Sequence, residues 1–132
     1  MIDPHHAFAS WFLWLGGLLF LLVYGLPLLL APLGWARIFC WRLPAERDLA
    51  VYLGRCLGGV AIAIVVAAFR AAPAPAGHPL VFELIAVSCG LLTLVHVWGA
   101  LRRTQPWTET VEIALYAAVT AIAVILRLGL SG

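Results

Sequence analysis

Four apolar runs, at about 9–33, 49–72, 80–101 and 107–130, decide what this chain can fold into. Each meets or exceeds the ~20 residues a helix needs to cross ~30 Å of hydrocarbon at ~1.5 Å per residue. The segments of alternating polarity that build outer-membrane barrels are absent, and only helices or closed barrels satisfy every backbone group in lipid. Composition points the same way. Of 132 residues 64% are hydrophobic and 11% charged, with a mean hydropathy of +1.06. A soluble domain of this size needs about half its residues polar to clothe its core.

The breaks between runs read GWARIFCWRLPAER, RAAPAPAGHP and RRTQP, each with Pro and Arg. Connections this short make consecutive helices antiparallel neighbours. The expected fold is therefore an all-α membrane protein, with four antiparallel transmembrane helices in one bundle and residues 1–132 forming a single domain. The segment before the first run, MIDPHH, carries Asp3 and no Lys or Arg. The run itself exceeds the ~7–15 apolar residues of a signal peptide, so it is expected to stay as a helix. Pro27 and Pro32 should kink or end its second half.

All eight basic residues are arginines. Arg37, Arg42 and Arg47 fall in the first connection and Arg102 and Arg103 in the third, while the second has only Arg70. The positive-inside rule then puts connections one and three in the cytoplasm and both termini on the outer, periplasmic side. Abundant Ala, Gly, Arg and Pro go with a bacterium of GC-rich genome, so the expected location is the bacterial inner (cytoplasmic) membrane, crossed several times. The formal net charge is +2, and nothing suggests nucleic acid as a partner. Cys40, Cys56 and Cys89 form neither a CxxC nor a metal-ligand spacing and read as small packing residues.

Depth arithmetic organises the polar residues. Counting from a bend centred near Thr104, His96 and Glu112 lie equally far along their helices. Arg55, about two turns into the second helix from the same side, reaches a similar level. A buried polar layer of Arg55, His96 and Glu112 is expected, with Tyr52 one turn below Arg55. Charged groups inside a bilayer cost at least ~2.5 kcal/mol each, so they turn inward and pair. The pairing of Arg55 with Glu112 either fixes helix neighbours or forms a proton-linked or anion-holding site. A second, outer layer of Glu83, Arg127 and Arg70 follows from the same arithmetic.

Glu109 and Glu112 form an ExxE, half of a carboxylate metal site, but no histidine follows at i+3. Threonines at 104 and 108 offer Glu109 a simpler reading as helix-start chemistry at headgroup level. No catalytic group, cofactor or metal is therefore expected. Gly54, Gly58, Gly59 and Gly90 lie on small-residue stripes that let helices approach closely. Trp35, Arg37, Trp41 and Arg42 should lie along the inner headgroups and contact lipid.

These features favour a small polytopic inner-membrane protein without catalytic activity. Such a chain would act as an accessory or interaction subunit packed against a larger membrane assembly, with lipid and a membrane-protein partner or further copies of itself around it. One alternative is a small oligomeric transporter or channel subunit using the Arg55, His96 and Glu112 layer. Another is a membrane enzyme or a lipid- or quinone-binding protein.

Overall fold

The computed structural model describes residues 1–130, and all regular structure among them is helical. Four helices are long and apolar enough to cross a membrane: α1 (Ala7–Leu30), α3 (Asp48–Ala71), α4 (Pro79–Arg102) and α5 (Trp107–Gly129). A shorter helix, α2 (Pro32–Ile38), follows α1. The contacts divide the chain after Ala74 into two compact units.

The proline-rich end of α1 shows how sequence shapes the first unit. The helix is α-helical over Ala7–Phe20, passes through a π turn at Leu21–Gly25 and resumes as α at Leu26–Leu30. Pro27 has no N–H, so the carbonyl of Val23 loses its usual i+4 donor. The indole Nε1 of Trp35 fills that place, donating to Val23 O at 2.8 Å. Helical geometry then fails at Ala31 (φ −141°, ψ 60°), the residue before Pro32, where a proline disfavours the α conformation. Pro32 opens α2 in its first turn, where a missing N–H leaves nothing unsatisfied. The run expected at 9–33 thus splits at Ala31. Trp35 stacks on Phe39 at 4.5 Å between centroids, and Tyr24 packs against both rings. Arg37, Trp41 and Arg42 are exposed.

Helices α1 and α3 meet along small residues. Ala9, Ser10, Leu13 and Gly17 are buried on α1, and Gly58, Ala61, Val65, Ala68 and Ala71 on α3, at the three- and four-residue spacing of one helix face. A Cβ added at Gly58 would strike the backbone N of Leu29 and lie 2.9 Å from the carbonyl O of Gly25. Close backbone approach therefore requires glycine here. Gly54 faces Pro32, whereas an added Cβ at Gly59 would find no atom within 4 Å. Gly59 thus lies off the seam.

Ser10 is fully buried and closes the far end of this unit. Its Oγ donates to the carbonyl of Ala72 at 2.6 Å and accepts from the Asp3 N–H at 3.0 Å. Ser10→Ala removes a buried partner from the Ala72 carbonyl, so we expect a stability loss of about 1–3 kcal/mol. Denaturant unfolding of the detergent-solubilised protein, followed by circular dichroism, measures it. An unchanged midpoint would mean the contact is dispensable.

The second unit pairs α4 with α5. Helix α4 ends at Arg102 with Arg103 in the left-handed region (φ 54°). The Arg103 N–H reaches Ala100 O at 3.1 Å and the Thr104 N–H reaches Gly99 O at 3.0 Å, a Schellman closure that satisfies the last carbonyls. Helix α5 starts behind Pro106, whose extended backbone (φ −68°, ψ 163°) serves as N-cap without a side-chain cap bond. The threonine cap expected from the sequence is not used. Thr104 Oγ1 instead bonds Gly99 O at 3.4 Å, and Thr110 Oγ1 accepts from Gln105 Nε2 at 3.2 Å.

Candidate functional site

The buried face of α5 is the stripe Glu109, Glu112, Tyr116 and Ala123, again at helical spacing. Its first two members are carboxylates, and opposite them α4 places His96. The three are 5%, 7% and 8% exposed. His96 Nε2 lies 3.0 Å from Glu109 Oε2 and 3.7 Å from Glu112 Oε2. The other ring nitrogen, Nδ1, is 2.7 Å from the backbone carbonyl of Leu92, one turn back on α4.

That last contact settles the ring chemistry. A carbonyl oxygen only accepts, so Nδ1 carries a hydrogen and donates it to Leu92 O. Nε2 is then the variable position, and it faces two carboxylates. When it also bears a hydrogen, the ring is an imidazolium donating to Glu109. When it does not, its lone pair faces carboxylate oxygens, and either a carboxyl proton or a bound cation has to lie between them. The Tyr116 ring covers the imidazole, with centroids 5.0 Å apart and planes at 50°.

Sequence arithmetic places His96 level with Glu112, and the structure brings those two to 3.7 Å. Glu109, read from the sequence as a headgroup-level acid, is buried and makes the shorter contact with the ring. Its spacing carries the signal: residues three apart share one side of a helix, so a ring lying between their levels meets both. Arg55 and Tyr52 lie on α3 of the first unit, and both are exposed.

At the opposite end of the helix pair, Arg127 Nε donates to Glu83 Oε1 at 2.6 Å. These side chains are 31% and 48% exposed, so the pair belongs to an open region and contributes at most ~1 kcal/mol. Arg70, expected in the same layer, lies on α3 of the first unit and is exposed. Gly90 sits 3.8 Å, by an added Cβ, from the Thr120 methyl, an ordinary packing distance. Two hydroxyls within these helices are satisfied one turn back on their own helix: Thr93 Oγ1 donates to Cys89 O and Thr120 Oγ1 to Tyr116 O, both at 2.8 Å.

An all-helical chain with four spans of this length and hydropathy defines a polytopic membrane protein. Comparison with protein-family models, curated proteins and solved structures finds no match.

Proposed function

We propose that this chain is a small multi-pass protein of the bacterial inner membrane, with four antiparallel helices in one bundle and both termini on the outer side. It has no catalytic activity of its own and acts as an accessory subunit packed against a larger membrane assembly, with the cluster of His96, Glu109 and Glu112 as its functional centre. The observation that carries this reading is the second carboxylate. A tie between α4 and α5 needs one acid for one imidazole, and each further buried charge costs ~2.5 kcal/mol or more in a bilayer. Two acids converging on one ring exceed what a structural clamp requires.

The exposure of the helix faces supports a protein surrounded by lipid or by other membrane helices. Only 11% of the apolar window of α4 is buried, and Leu84, Val87, Leu91, Leu94, Val95 and Trp98 stand exposed along it. Extraction of the native membrane in a mild detergent, followed by identification of what co-purifies, tests the assignment. A stoichiometric membrane-protein partner is the expected result. Recovery of the chain with lipid alone contradicts it.

A second reading, a transporter or channel subunit, draws on the position of the cluster. His96 lies within two turns of the α4 terminus at Arg102, about 9 Å along the helix axis, a short path for an ion from that end of the helix. Ion flux through vesicles containing this chain alone would favour that reading over the accessory one.

A further inference from the structure

We infer that His96, Glu109 and Glu112 form a binding site for a divalent first-row transition-metal ion of the Zn2+ type. This inference rests on the reading of the cluster as the functional centre and names the ligand class it takes.

Four observations converge on it. The first is ring orientation. A metal-ligating histidine is normally held by a hydrogen bond from its other nitrogen to a carboxylate or backbone carbonyl, which fixes the tautomer and aims the lone pair. Here Nδ1 is committed to Leu92 O at 2.7 Å and Nε2 faces the carboxylates.

The second is spacing. One ligand atom from each of the three residues can be chosen so that all lie within 4.8 Å of one another. Around an ion with bonds of ~2.1 Å, tetrahedral ligands stand about 3.4 Å apart. The Nε2 to Oε2 separations of 3.0 Å and 3.7 Å bracket that value. Small rotations of the two glutamate side chains, which carry the flexible end of each ligand, complete the fit.

The third is charge. A neutral imidazole and two carboxylates together carry two negative charges, which a divalent ion cancels. The loaded site is then electroneutral, the state an apolar membrane interior favours most. A monovalent ion leaves one charge uncompensated.

The fourth is ligand type. Imidazole suits zinc, iron and related metals, whereas magnesium and calcium take oxygen ligands, magnesium usually keeping several waters. One nitrogen with carboxylate oxygens, in a site this dry, selects the transition-metal class. The ExxE of α5 thus receives its histidine from across the bend rather than from i+3.

The test uses full-length protein in lipid nanodiscs, with any affinity tag removed, titrated with Zn2+ by calorimetry and checked by metal analysis after desalting. One zinc per chain is expected. His96→Gln, Glu109→Gln and Glu112→Gln should each weaken binding by more than the ~10–100-fold typical of a lost outer-shell partner. The amide variants keep size and shape, and circular dichroism identifies those that fold. Glu83→Gln, in the open pair at the other end, should leave binding unchanged. His5→Ala with His6→Ala should also leave it unchanged, which excludes terminal histidines as the ligands. Absence of stoichiometric zinc, or zinc that persists in the folded cluster variants, overturns the inference. A chain that co-purifies with a partner yet takes no zinc loses only the metal assignment. A chain that binds zinc yet has no partner loses only the accessory reading.

Discussion

His96→Ala should destabilise the protein by about 3–5 kcal/mol, the range for breaking a buried ion pair from one side. The size follows from what remains. Glu109 and Glu112 would keep their places on the buried face of α5, three residues apart, with the imidazole gone from between them. Two carboxylates would then share a buried site with no positive charge between them. Removing one acid as well should recover part of the loss. His96→Ala with Glu112→Gln is therefore expected to be milder than the sum of the two single changes. Glu109→Gln should cost more than Glu112→Gln, because Glu109 makes the 3.0 Å contact with Nε2 and Glu112 the 3.7 Å one. Denaturant unfolding of each variant, read by circular dichroism, supplies the numbers. Strict additivity would show that the three residues do not act as a unit.

The second large effect belongs to the seam between α1 and α3. Gly58→Leu should lie at or above the ~3 kcal/mol top of the usual overpacking range. The space a side chain would take at Gly58 is already filled by backbone, the Leu29 N and the Gly25 carbonyl. Backbone cannot step aside as a flexible side chain can, so α1 and α3 would have to separate. Their separation would also expose the alanine-rich stripe of α3. Gly59→Leu is the internal control. One residue along, a Cβ at that position meets nothing within 4 Å, and the change should be close to neutral in the same assay.

The contrast between these neighbouring glycines shows where sequence reasoning stops. A small-xxx-small pattern identifies helices that can approach closely, but Gly58 and Gly59 both fit such a pattern. Only the rotation of α3 about its axis decides which of them touches α1, and that depends on packing along the whole face.

The spans themselves were legible, since length and hydropathy alone locate all four, with their ends within a few residues. The break at Ala31 was partly legible. Pro32 announces it, but the rescue of Val23 O by Trp35 depends on a return of the chain that no local pattern encodes. Trp35 accordingly reads from sequence as a headgroup anchor, although its indole N–H is bonded to the backbone of α1.

The cluster was half legible. Equal distance from the bend pairs His96 with Glu112, because two helices joined by a tight turn advance at the same rise per residue. Glu109 escaped because another explanation fitted it. An acid in the first turn of a helix beside threonines is well accounted for by capping and the helix dipole. The structure starts α5 at Trp107, where the apolar run begins, with Pro106 as N-cap and no side-chain cap bond, and Glu109 lies on the buried face of the helix. The ExxE has no histidine at i+3 on its own helix, and the ring that meets it stands on α4, across the bend.

X-ray absorption at the zinc edge, on protein carrying one equivalent of zinc, tests the central claim most directly. The predicted first shell contains one imidazole nitrogen and carboxylate oxygens at ~2.0–2.2 Å, with no sulfur. The imidazole signal should vanish in His96→Gln. A shell containing sulfur, or more than one imidazole, or an imidazole signal that survives in His96→Gln, would contradict the claim that these three side chains converge to hold a cation.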